Sequence, residues 1–280
     1  MTRRDLSVVT FAVLVALHCT PSPVAAQAYL GANLRPFAIL GATPSVTCTG
    51  ASIVTGDVGI SPAASITGFP VPCTIVGTLH ANDANAIAAQ GELTTAFNTL
   101  TAQSCGLDLT GTNLGGLTLT PGVYCFSSSA AITGTLTLNA QGDPNAVWVF
   151  QTGTTLTTAG DVVFINGGNP CGAQWRIGSS ATIGSGSNMA GNILAQISIT
   201  LVSGADLIGR ALARTGAVTM DTNNVSFAAC GASAGAGGAP APFPTGTPLP
   251  PVPSLAQWAV IVMAALLVIA GVTAMRRRKA

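Results

Sequence analysis

A short unit of alternating polar and apolar residues recurs through the middle of the chain. It reads Thr118-Leu119-Thr120, Thr135-Leu136-Thr137-Leu138, Thr155-Leu156-Thr157, Ser198-Ile199-Thr200-Leu201 and Ala217-Val218-Thr219-Met220. Period two is the signature of a β-strand with one buried face, so Leu119, Leu136, Leu156, Ile183, Ile199 and Val218 are predicted to point inward and the flanking Thr or Ser outward. The unit is embedded in a longer repeat. Residues 179–196 (SSATIGSGSNMAGNILAQ) align without a gap on 197–214 (ISITLVSGADLIGRALAR), with seven identities, and a third partial copy starts at Ala217. A period of 18 residues suits one coil of a β-solenoid. Stacked coils would carry a column of hydroxyls on one face.

A second kind of segment is apolar almost throughout: Val123 to Phe126, Ala146 to Phe150, Val162 to Ile165, Met189 to Ala195 and Leu207 to Ala213. Strands of this kind must be covered on both sides. The cover available is residues 82–102, where Ala86, Ala89, Leu93, Ala96, Phe97 and Leu100 share one face at helical spacing and Asn82 or Asp83 can cap the start. One helix is therefore predicted along one solenoid face, and the hydroxyl face is left bare.

Charge narrows the function. Only 7% of residues are Asp, Glu, Lys or Arg, against about a quarter in an average soluble domain, which excludes a charged helical bundle. Six of the ten basic residues sit at the two ends, leaving four Arg against eight acidic residues in between. No basic patch exists to displace counterions from phosphates, so nucleic acid is not an expected partner.

The ends themselves look like targeting segments. Residues 1–28 open with Arg3 and Arg4, run apolar from Leu6 to Leu17 and close on Ala26-Gln27-Ala28, the pattern of a secretory signal peptide. Trp258 to Met275 is 18 residues without a charge, followed by Arg276-Arg277-Arg278-Lys279. That is enough to span a bilayer with the basic cluster held on the cytoplasmic side. Just before this span, Pro253-Ser254-Leu255-Ala256-Gln257-Trp258 resembles the Ile-Pro-Thr-Leu type of Gram-negative sorting signal, which implies processing by a membrane sorting enzyme rather than a permanent anchor. Residues 232–253 are almost wholly Gly, Ala, Pro, Ser and Thr, a spacer composition. The expected organisation is leader 1–28, solenoid domain 29–231, linker 232–253 and membrane or sorting segment 254–280. The expected location is outside the cell: surface, outer membrane or medium. Six cysteines remain after the leader, and an even count in an exported chain argues for disulfides. Fifteen connectivities are possible; the economical one pairs Cys48 with Cys73, Cys105 with Cys125 and Cys171 with Cys230.

Catalytic chemistry is hard to assemble. The expected domain has one histidine, His80, and its acidic residues Asp57, Asp83, Glu92, Asp108, Asp143, Asp161, Asp206 and Asp221 are scattered singly. No nucleophile-base grouping or paired carboxylates emerge. Asp221 with Asn223 and Asn224 is better explained as a turn closing the last coil than as a calcium loop, and Gly115-Gly116 and Gly167-Gly168 lack the strand-to-helix setting of a phosphate loop. No enzyme, cofactor or metal is expected.

Against this background the chain resembles the ice-binding-like family from about Leu30 to Phe227. The motifs that carry the likeness are TGDVGISP (55–62), ITGF (66–69), LTTAFN (93–98), LTPGVYCF (119–126), LNAQGDPNAVWVFQ (138–151), GNILAQISITL (191–201) and GRALARTGAVTMD (209–221). The resemblance implies a mostly β fold, a right-handed discontinuous β-solenoid (β-helix) with three faces and one long α-helix along one of them. Its N-terminal strands would dock beside the C-terminal coil, and a flat exposed face would bind ice. Carried onto this sequence, the face would hold Thr118, Thr120, Thr135, Thr137, Thr155, Thr157, Ser180, Thr182, Ser198, Thr200 and Thr219, with Thr47 and Thr74 as further candidates. Ala217 departs from the pattern. The function implied is non-enzymatic adsorption to an ice crystal surface. The alternative is a surface or matrix adhesion module whose face binds carbohydrate or a neighbouring cell; it suffers from the shortage of aromatic platforms, since Trp148 lies in a segment expected to be buried.

Overall fold

The computed structural model describes residues 29–230; the expected leader, linker and membrane or sorting segment lie outside the described residues. Each coil lays down three strands, and strands one coil apart pair in parallel, so the fold is a solenoid with three faces. The first face stacks Gly122–Phe126, Trp148–Thr152, Ala173–Ile177 and the second halves of Asn188–Ala195 and Asp206–Ala213. The second stacks Ala130–Thr133, Leu156–Ala159, Ala181–Ile183, Ile199–Leu201 and Val218–Asp221. The third holds Thr118–Leu119, Leu136–Asn139 and Val162–Ile165, and is continued by the first halves of the two long strands and by Asn224–Ser226.

The N-terminal strands extend this stack from its C-terminal end. Phe37–Gly41 pairs with Asp206–Ala213 through Ile39↔Ala211, Val46–Thr49 pairs with Val218–Asp221 through Thr47↔Thr219, and Ile53–Thr55 pairs with Asn224–Ser226. Asp57–Ile60, Ile66–Thr67, Thr74–Val76 and Leu79–Ala81 add a further coil outside them. The first and last strands to be made are therefore neighbours, and the solenoid is discontinuous in sequence.

Long strands bend between faces only where backbone can lie on backbone. Asp206–Ala213 turns at Gly209, whose φ is +151°, and a Cβ built there would stand 1.9 Å from the Gly191 carbonyl oxygen. Such a strand is apolar at most positions because it serves two faces in succession, with the core on the inner side of both.

The helix runs Ala84–Thr101 with the predicted buried set Ala86, Ala89, Leu93, Ala96, Phe97 and Leu100. Asp83 is its cap and accepts a hydrogen bond from the Ala86 N–H. The sheet beneath supplies partners for the carbonyls that its last turn leaves over: Gln151 Nε2 donates to the Leu100 and Gln103 carbonyls at 2.7 and 2.9 Å. Arg176 donates to Thr101 Oγ1 at 2.9 Å, and the Arg176 and Arg214 guanidiniums lie 4.7 and 4.5 Å from the centre of the Phe97 ring. Cations near a helix C-terminus oppose its negative end. The helix covers the first face alone. Val162–Ile165, expected under the same cover, lies instead on the third face with Val163 and Ile165 each 39% exposed.

Beyond the helix start, the first face is sealed by both termini of the described domain. Gln174, Asn192 and Arg210 stand in register and form a buried polar ladder, Asn192 Nδ2 donating to Gln174 and Arg210 Nη1 donating to Asn192. Arg210 also donates to the Arg35 carbonyl at 2.9 Å and stacks on Phe227. Burial, with a smaller push from the Arg35 charge, takes its guanidinium down to about 10, still charged at neutral pH. The Cys171–Cys230 disulfide closes the same region.

Two predictions follow from corner and cap. Gly209→Ala should cost on the order of 3 kcal/mol in chemical denaturation, since it adds both a disfavoured φ and a clash with backbone. The Ala86 N–H, and after it the His80 ring, hold the Asp83 carboxyl below its ordinary value. The unfolded chain then takes up a proton at higher pH than the folded one, so this contribution is whole at neutral pH and disappears as the pH falls through the folded value. Asp83→Ala should lower the melting temperature at neutral pH and flatten its decline on acidification, as read by calorimetry.

Candidate functional site

The second face carries a single rank of threonines. Pairing aligns Thr157, Thr182, Thr200, Thr219, Thr47 and Thr67 one above another, six rungs in unbroken register. The rank crosses the chain discontinuity between Thr219 and Thr47. Beneath it, Leu156, Ala181, Ile199, Val218 and Val46 are buried, with Ile66 half-buried at the end. Parallel strands stand about 4.8 Å apart, so the rank is a straight row with that spacing. Toward the strand starts a second outward rank runs in parallel: Thr155, Ser180, Ser198, Ala217, Ser45 and Ser65, one residue outside each buried position.

The two ranks are bonded differently. Ser180 Oγ accepts the Ser198 N–H at 3.3 Å and Ser198 Oγ accepts the Ala217 N–H at 3.2 Å, so these serines tie one coil to the next. The threonines bond through hydroxyls instead of backbone N–H groups, Thr219 Oγ1 to Thr200 Oγ1 on the neighbouring coil at 3.2 Å and Thr47 Oγ1 with Ser45 Oγ on its own strand at 2.9 Å. Neither rank holds a charged residue. Asp221, one position pair further along its strand, marks the border, while Arg176, Arg210 and Arg214 belong to the first face, and Arg35 to the segment that seals it.

The predicted column thus divides. Thr155, Thr157, Ser180, Thr182, Ser198, Thr200 and Thr219 are brought together, and Thr47 joins them. Thr118 and Thr137 pair with each other and with Val163 on the third face, so they are not part of this row. Thr135 and Thr120 flank those strands, and the Thr120 carbonyl accepts the Tyr124 hydroxyl at 2.6 Å. Thr74 opens Thr74–Val76, which pairs with Ile53–Thr55, again on the third face. Thr67, Ser65 and Ser45 were not anticipated. Their signal is nevertheless local: Ser45-Val46-Thr47 and Ser65-Ile66-Thr67 repeat the Ser180-Ala181-Thr182 and Ser198-Ile199-Thr200 pattern.

Other candidate groups are tied into the scaffold. His80 is buried against Phe37, with Nδ1 2.7 Å from Asp83 and Nε2 3.6 Å from Asp57, and so links the helix cap to a first-face strand. Asn223 is buried, its Oδ1 accepts the Asp221 N–H across its own turn, and its Nδ2 donates to the Val202 and Ala205 carbonyls of the neighbouring coil. Among the described residues no three His, Cys, Asp or Glu side chains gather in a metal-binding group, and no helix is long and apolar enough to cross a membrane. Trp148 and Trp175 are fully buried and both tyrosines are nearly so, leaving no indole or phenol platform exposed among these residues.

Comparison with known proteins bears on the same region. The chain is 48% identical over 226 residues to an ice-binding protein of Nostoc sp. (strain HG1), covering 80% of this chain and 82% of that one. It is similar to the crystal structure of an ice binding protein from an Antarctic biological consortium, with a TM-score of 0.68 and 41% identity over 79% of this chain and 96% of the other. It is also similar to the ice-binding protein of the Antarctic ascomycete Antarctomyces psychrotrophicus, with a TM-score of 0.67 and 40% identity over 70% and 96% of the two chains. A model of the family described as ice-binding-like matches residues 39–226, most of the described domain, and this chain belongs to that family.

Proposed function

We propose that this chain is a non-enzymatic ice-binding protein that adsorbs to an ice crystal surface through its second face. The observation that carries the reading is the six-rung threonine rank, flat, uncharged and fixed at strand spacing. Threonine is stiff at χ1, so its methyl and hydroxyl keep fixed places relative to the rung above. The methyl confines neighbouring water while the hydroxyl holds it by hydrogen bond, and water bound in this way loses little further freedom on joining a lattice. A charge would turn water dipoles toward itself and break the order, which gives a reason for the bare ranks. An adsorbed molecule blocks growth of the crystal beneath it. Nothing in this action needs a cofactor.

The reading extends to where the protein works. We place it outside the cell, exported by the leader over 1–28 and released or displayed through the linker 232–253 and segment 254–280. Three disulfides in the domain support an oxidising compartment. The carbohydrate-adhesion alternative has no such support, because its aromatic platforms are lacking on the described surface.

The test is thermal hysteresis with crystal morphology on the disulfide-intact protein, which should shape crystals and open a freezing gap. Freely growing round crystals from folded protein would refute the reading. Thr200→Tyr and Thr219→Tyr should each abolish the gap with little change in melting temperature, whereas Thr137→Tyr, equally bulky but on the third face, should leave it intact. Loss with Thr137→Tyr and retention with Thr200→Tyr would move the site to the third face.

A further inference from the structure

The threonine rank ends on its weakest rung. Ile66–Thr67 is a strand of two residues, paired with Val46–Thr49 on one side and, among the described residues, with no strand on the other. Two residues of one-sided ladder cannot hold a strand in place, since even a complete isolated hairpin is marginal in water. The next residue, Gly68, sits at φ +87° and its missing Cβ would lie 1.8 Å from the Cys48 carbonyl oxygen, so the chain leaves Thr67 pressed on the backbone of the rung below. It then passes through Phe69-Pro70-Val71-Pro72, where Val71 is 81% exposed, and returns to the core at Cys73, which is fully buried. Cys73 is bonded to Cys48, and Cys48 directly follows Thr47.

We propose that the Cys48–Cys73 disulfide is a clasp that positions Thr67, and with it the end of the ice-contacting rank, so that Cys48 and Cys73 are positioning residues for ice adsorption. This rests on the ice-binding reading given above. The bond joins the rung that carries Thr47 to the loop leaving the rung that carries Thr67, and it brackets the terminal rung, where the ladder is short and one-sided. The other two bonds have no such place. Cys105–Cys125 joins the segment after the helix to a first-face strand, and Cys171–Cys230 belongs to the seal around Arg210. One disulfide of three is therefore assigned to the working face.

The experiment is a double-mutant cycle on the full exported chain, read by thermal hysteresis, with hydrogen exchange at the Thr67 and Thr200 amides. Cys48→Ser/Cys73→Ser should lose as much hysteresis as Thr67→Ala. Adding Thr67→Ala to the clasp-free protein should cost nothing more, because that threonine is already out of the row. Exchange protection should fall at Thr67 and persist at Thr200. Cys105→Ser/Cys125→Ser should keep full hysteresis. Undiminished activity without the clasp, or losses that add, overturns the proposal. If the serine pair does not fold, Cys48→Val/Cys73→Ala repeats the cycle with apolar substitutes. Failure of that pair to fold, together with full activity of Thr67→Ala, also overturns it, since the bond then serves the core and not the face. An unaltered chain without hysteresis would refute ice binding itself, while the exchange measurement would still report whether the clasp holds the rung.

Discussion

The structure depends on one repeated contact, a strand lying in parallel register on the strand one coil before it. That ladder fixes the distance between coils at about 4.8 Å everywhere, and no side chain can stand between two backbones so close. The requirement falls hardest at the corners, where the chain changes face and Gly209 lies on Gly191. Once the corners stack, every position within a coil sits above its equivalent. A residue type repeated once per coil therefore becomes a straight row, and the threonine rank is the side-chain image of the backbone ladder.

The same constraint sorts chemistry among faces. Positions pointing inward fill with Leu, Ile, Val and Ala, as the burial of Leu156, Ile199 and Val218 shows. The first face needs a partner on its outer side and takes the helix, with its polar and cationic side chains spent on the helix end and on the terminal seal. Arg210 can be buried there because Arg35, Asn192 and Phe227 surround it with an acceptor carbonyl, an amide oxygen and a ring. Among the described residues no element covers the second face, and its two hydroxyl ranks carry no charge. Cations and hydroxyl ranks thus occupy separate faces of one rigid body.

Much of this was legible in the sequence. The 18-residue repeat announced coils, the apolar periodicity located the helix with its buried residues, and alternation identified which side of each hydroxyl strand was buried. Alternation does not say which of three faces a strand occupies, and Thr118, Thr120, Thr135, Thr137 and Thr74 lie in or beside third-face strands, apart from the threonine rank. Thr118-Leu119-Thr120 and Thr155-Leu156-Thr157 are indistinguishable as isolated triplets. Their place in the coil separates them: the first comes just before the first-face strand Gly122–Phe126, the second just after Trp148–Thr152. Val162–Ile165 was misplaced for a related reason, because an apolar run can mark a strand covered on both sides or merely an exposed one rich in β-branched residues. Ser65-Ile66-Thr67 repeats the pattern locally, but only the folded N-terminal coil joins its rung to the others.

The seam in the threonine rank has a bearing on when the row becomes complete. Thr47 belongs to an early strand and Thr219 to a late one, and across this join Thr49 donates to the carbonyl of Met220, 171 residues away. During synthesis from the N-terminus, the rung bearing Thr47 has only the rung bearing Thr67 to stack on until the final coil has been made. A chain cut short anywhere before that coil holds two separate fragments of the row and no continuous one. Completion of the row thereby waits on the last coil of the domain, so that a molecule cut short before that coil presents no continuous array.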